Sequence, residues 1–149
     1  MELWELDARE QIRDVIARYN ANSDAARYDE VLALFTPDAV MELPDRTCRG
    51  LDEIRAMFAD AAATFAGRAG FTHLRHFTAT LQIDVLDETE ARARCYYAVV
   101  MDHGLDHWGR YLDELRATDR RWQFSRRRVT VDGRTGPLPA PSAPSRQPP

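Results

Sequence analysis

The sequence predicts a single α+β domain, with helices packed on a strongly curved, mostly antiparallel sheet that encloses one pocket. Three observations predict it. Apolar residues recur at helical spacing before Gly70 and in long strand-like runs after it. Only short turns separate those runs, so neighbouring strands pair antiparallel. A sheet of that kind curls over its helices to bury its apolar face, and a chain of 149 residues has surface enough for a core and one cavity.

Leu6, Ile12, Val15, Ile16 and Tyr19 form one stripe, with charged residues between them, and predict a helix from about Asp7 to Asn22. The polar stretch NANSDAA ends or interrupts it. Tyr28, Val31, Leu32, Leu34 and Phe35 predict a second, short helix that Pro37 closes. Ala39–Leu43 is a strand stopped by Pro44, and Asp45–Gly50 a turn. A third helix runs from Leu51 to about Phe65, with Ile54, Met57 and Phe58 on one face. Residues 71–85, 90–103, 107–118 and 122–131 are then four strands, joined at Asp87-Glu88-Thr89 and Asp119-Arg120-Arg121. From Gly133 the text GRTGPLPAPSAPSRQPP has almost nothing to bury, so the domain is expected over 1–132 and a flexible proline-rich tail over 133–149.

Composition removes several function classes. Every basic residue is Arg; without Lys, Schiff-base catalysis and covalent attachment of pyridoxal phosphate are excluded. A net charge of -4 offers no global attraction to nucleic acid. No apolar run approaches the roughly 20 residues of a membrane span. Cys48 and Cys95 are far apart and in no CxxC arrangement, and the start MELWELDARE lacks the basic-then-apolar pattern of a signal peptide, so a cytoplasmic location is expected.

Four stretches carry a resemblance: IRDVIARYNANSDAARYDEVLALFTPDAVMEL, RGLDEIRAMF, HLRHFTATLQIDVLDETEARARCYY and GRYLDELRATDRRWQFSRRRVTVDG. In order and spacing they resemble the SnoaL-like proteins of the nuclear-transport-factor-2 superfamily, relatives of scytalone dehydratase, bile-acid 7α-dehydratase and hexachlorocyclohexane dehydrochlorinase. The resemblance implies a cone-shaped α+β barrel. It also implies an Asp after the first helix and a His early in a long strand as a working pair, which fall on Asp24 and His76. A tyrosine before the Asp falls on Tyr19. A second histidine of scytalone dehydratase falls near Trp108, with His107 adjacent, and a late pocket arginine on Arg126 or Arg128. Pairing through the outer face of the sheet, as in these relatives, implies a homodimer; Val99 and Met101 against Ala98 and Val100 make both strand faces apolar.

An imidazole takes and returns a proton near neutral pH, and a carboxylate beside it fixes its tautomer and supports its cation. Tyr19, or a tyrosine among Tyr96, Tyr97 and Tyr111, can hydrogen-bond an oxygen on which charge develops. Plainer roles exist for each. Asp24 reads as a cap or turn residue, His76 as a satisfied strand histidine and Tyr19 as core. Alternation puts Leu74, His76, Thr78 and Thr80 on one face of their strand, with Phe77, Ala79, Leu81 and Ile83 on the other. His103 and His107, beside Asp102 and Asp106, are expected at a solvated hairpin tip. Gly104 breaks the helical spacing that would make them zinc ligands. Arg126, Arg127 and Arg128 alternate along a strand and are expected in surface ion pairs.

Together these features lead to the expectation of a lyase or isomerase needing no metal or cofactor. Its substrate is a small, largely apolar polyketide-, aromatic- or terpenoid-like molecule. Asp24, His76 and Tyr19 are the catalytic candidates, and Tyr97, Trp108, Tyr111 and Arg128 the substrate-binding ones. The alternative is a non-catalytic module like the small subunit of aromatic-ring dioxygenases. An enzyme requires Asp24 and His76 within hydrogen-bond reach inside a closed apolar cavity; a structural module has them apart or the cavity filled by core side chains.

Overall fold

The computed structural model describes residues 1–66 and 73–135. In chain order the elements are α1 (Leu3–Asp24), α2 (Tyr28–Leu32), β1 (Phe35–Glu42), β2 (Thr47–Arg49), α3 (Gly50–Ala66), β3 (Arg75–Val85), β4 (Glu90–Met101), β5 (Gly104–Thr118) and β6 (Arg121–Arg134). Three helices pack on one curved sheet of six strands, in the order β2-β1-β6-β5-β4-β3. All neighbours are antiparallel except β1 and β6. The core lies in the concavity, where Ile12, Val15 and Ile16 of α1 and Ile54 of α3 meet Phe35, Met41, Val99, Leu115 and Phe124 of the sheet.

Several boundaries differ from the sequence reading. Helix α1 does not stop at Asn22: it continues to Asp24, and Ala26 then turns the chain in a left-handed conformation at φ 56°. Helix α2 ends at Leu32, and Phe35 already belongs to a strand. Pro37 is tolerated inside β1 because the pairing with β6 is irregular between Phe35 and Val40, where no ladder N–H is required. The expected turn at 45–50 contains a short strand, β2, whose Cys48 pairs with Met41. Strand β5 begins at Gly104, and β6 runs through Arg134, past the expected end of the domain at Asp132. The expected strand start at 71 and the tail residues 136–149 lie outside the described residues.

The largest correction concerns strand faces. Simple alternation put Phe77 and Ile83 together, yet Phe77 is exposed and Ile83 is buried. Strand β3 carries a register shift between Ala79 and Gln82, with Thr80 at φ 56°. One extra residue there inverts every side chain beyond it. The bulge lets one strand send His76 into the cavity and Ile83 into the core.

Candidate active site

Asp24 closes α1, and its carboxylate crosses to β3. Its Oδ2 accepts the backbone N–H of His76 at 2.9 Å, and its Oδ1 lies 2.6 Å from the ring nitrogen Nδ1. A carboxylate only accepts, so the ring carries its proton on Nδ1 and keeps a lone pair on Nε2. The side chains are 19% and 10% exposed for His76 and Asp24. Both stand in the wall of a cavity of about 430 Å³. Helices supply Tyr19, Tyr28 and Phe58 to that wall, and the sheet supplies Met41, Tyr97 and Tyr111.

A second pair stands on β5. His107 lines the same cavity, and its Nδ1 is 2.7 Å from Asp106 Oδ2, while Asp106 Oδ1 also meets His103 Nε2 at 3.1 Å. The ring of Tyr97 lies between the two imidazoles, with centroids 6.2 Å from His76 and 6.0 Å from His107. Burial pulls His107 below the ordinary histidine range, and the Asp106 hydrogen bond opposes this without cancelling it. With Nδ1 directed at a carboxylate in each pair, each neutral ring presents Nε2 as an acceptor.

The phenols are protonated. Burial pushes Tyr97 up to about 12, and its hydroxyl donates to the Thr130 carbonyl at 2.8 Å. Tyr97 stacks on Tyr111 at 4.6 Å, and the Tyr111 hydroxyl donates to Asn20 Oδ1 at 3.3 Å. Burial also raises Tyr19, and the neighbouring Arg127 cation partly offsets it.

Arg127 is fully buried behind this floor. Its Nε and Nη2 donate to the two oxygens of buried Asp113, each at 2.8 Å. The guanidinium carbon lies 4.1 Å from the ring centroids of Tyr19 and Tyr111 and 4.2 Å from that of Phe124. Burial works against the cation, but the charge and hydrogen bonds of Asp113 outweigh it and raise its pKa above the ordinary arginine value. Its Nη1 has no partner among the described residues.

The SnoaL-like domain family matches residues 4–128. The chain belongs to that family. Among solved structures, the SnoaL-like chain resembles a protein provisionally named a scytalone dehydratase from Novosphingobium aromaticivorans, at TM-score 0.78 and 23% identity, covering 91% of each chain. LinA matches at TM-score 0.78 and 16% identity over 95% of this chain and 97% of its own. ActVI-ORFA from Streptomyces coelicolor matches at 0.73 and 18%, over 83% and 97% respectively. At these identities the likeness shows the fold alone, and another neighbour is described as having a cystatin-like fold. The comparison with curated proteins gave no match.

Of the residues singled out from sequence, this SnoaL-like fold brings Asp24, His76, Tyr19, Tyr97 and Tyr111 to one cavity. It does not bring Trp108 or Arg128 there. Trp108 points to the outer face, its ring lying where a Cβ on Gly133 would be. Arg128 lines a groove on the outer face with Arg92, Arg94 and Arg126. Of the three consecutive arginines, the middle one is the interior residue. A register irregularity follows Phe124 on β6, so Phe124 and Arg127 both point inward although three positions apart. His107 was missed as a cavity residue. Its signal was parity: it is two and four positions from Gly109 and Tyr111, and Tyr111 faces in. Among the described residues no group of three or more His, Cys, Asp or Glu side chains is placed to hold a metal ion. No described helix is long and apolar enough to cross a membrane.

Proposed function

We propose that this SnoaL-like protein is a cofactor-independent acid–base enzyme, of the dehydratase, cyclase or isomerase type, acting in the cytoplasm on a small, largely apolar molecule held in the cavity. One observation carries the reading. Asp24 engages both the ring Nδ1 and the backbone N–H of His76, at 2.6 and 2.9 Å, in the wall of an open cavity of about 430 Å³. His76 Nε2 takes a proton from carbon or oxygen, Asp24 supports the imidazolium so formed, and the proton returns to the leaving or rearranged group. His107, held in the same way by Asp106, serves a second point on the substrate. Tyr19 is the hydrogen-bond donor to developing oxygen charge. The rival reading, a non-catalytic module, calls for the pair apart or the cavity filled, and the distances and volume favour the enzyme.

The test is a histidine NMR titration of wild type against Asp24→Asn. The ring signals of His76, whose Nδ1 meets Asp24, should change in the variant while those of His107 stay as they are. Ring signals of His76 that ignore the substitution would remove the pair and leave a binding module. We also propose a homodimer through the outer sheet face, where Phe77 and Tyr96 stand 61% and 57% exposed.

A further inference from the structure

Among the described residues, the cavity wall offers a ligand no positive charge. The chain has no lysine, and no arginine is among the described residues that line the cavity. Arg127 is screened by the rings of Tyr19 and Tyr111, and its charge is already matched by Asp113. Arg126 and Arg128 face the groove on the opposite side of the sheet. The carboxylate that does reach the wall, Asp24, has both oxygens engaged by His76.

The hydrogen-bonding groups of the described wall bring no positive charge either: Tyr19 and Tyr28 offer neutral hydroxyls, and the two histidines offer acceptors. His76 and His107 each direct Nδ1 to a carboxylate, so each keeps Nε2 as an acceptor. Tyr97 and Tyr111 have their hydroxyl protons committed, to Thr130 and Asn20. A carboxylate, phosphate or sulfonate entering this space would lose its water and meet apolar carbon, two acceptor nitrogens and the neutral hydroxyls of Tyr19 and Tyr28, with no counter-charge among the described residues. A neutral hydroxyl would donate to an Nε2 with no such loss. Flat aromatic walls, Tyr97 stacked on Tyr111 and Tyr28 stacked on Phe58, favour a ring system beside that hydroxyl.

We infer that the cavity selects uncharged ligands bearing a hydroxyl donor on an apolar ring framework, and rejects anions and cations of the same shape. This deepens the acid–base reading, on which it rests for the idea that the hydroxyl meets the working imidazoles. A bare cation is rejected because Asp24 is already shared by two N–H donors.

The experiment is calorimetric titration of the full chain at about pH 8, above the histidine range. The probes are 2-naphthol, 2-naphthoate and a trimethylammonium derivative of naphthalene. The expected order is naphthol first, with naphthoate and the ammonium probe each weaker by about tenfold or more, as desolvation of an unpaired charge demands. Naphthol should also shift the ring nitrogen resonances of His76 or His107. Naphthoate or the ammonium probe binding as tightly as naphthol would overturn the inference, and so would absence of binding by all three. Failure of the Asp24→Asn titration with the selectivity intact would instead sink the catalytic reading and leave a receptor for the same ligand class.

Discussion

Replacing Asp113 by Asn leaves the Arg127 guanidinium buried with no opposite charge. The wild-type pair has 0% exposure on both sides, two hydrogen bonds of 2.8 Å and an Nη1 already without a partner among the described residues. The change keeps the shape of residue 113, so packing is conserved and the loss is electrostatic. Breaking a buried pair from one side costs about 3–5 kcal/mol. For a domain of this size that corresponds to a fall in Tm on the order of 10 °C. Urea unfolding followed by tryptophan fluorescence measures it directly, since Trp122 is buried in the same core. The double variant Asp113→Leu with Arg127→Met should recover most of the loss, because an apolar pair of similar volume needs no desolvation. A loss below about 1 kcal/mol in Asp113→Asn, or additive effects in the double variant, would refute the reasoning. Either result would mean that water reaches the guanidinium or that the cation leaves its cage of rings.

Three further outcomes are expected. His107 has its folded pKa below the ordinary 6.5, so the unfolded chain binds the proton more tightly and acid favours unfolding. Its contribution to stability is whole above 6.5 and is lost as pH falls through the lower folded value; denaturation midpoints between these limits should flatten in His107→Gln, and an unchanged slope would count against it. In Gly109→Ala the new Cβ would lie 1.9 Å from the Thr130 carbonyl oxygen and 3.0 Å from the Tyr97 hydroxyl. β5 and β6 must part there, costing about 3 kcal/mol, the upper end for overpacking; a melting temperature equal to wild type would sink this. Tyr96→Glu places a charge on the exposed outer face, and sedimentation should show one chain where the wild type shows two; a wild type of one-chain mass at micromolar concentration ends the dimer proposal.

The cavity's two histidines differ in how they came to be readable. His76 and Asp24 were found together because the resemblance supplied a pattern that neither residue declares alone. His107 sits in a stretch, DHGLDH, that suggested a hairpin tip, and Asp102 and His103 do form the turn between β4 and β5. What moved His107 inward is that β5 begins three residues earlier than expected, which aligns it with Val99 of β4. Val99 is fully buried, so its cross-strand partner faces the interior too.

By itself the sequence determined the α+β class, since the change from helical to strand-like spacing near Gly70 is local information. It also determined the chemistry that is unavailable, because a chain without lysine has no amine nucleophile on a side chain. Only the tertiary structure decided which arginine is interior, which histidine joins His76, and which face Ile83 takes. The physical reason is the same for the arginine and for Ile83. Side-chain direction in a strand has a period of two residues, and one bulge reverses it. Whether a bulge forms at Thr80 or after Phe124 depends on how the neighbouring strands pair and what must be buried between them, which no window of sequence contains.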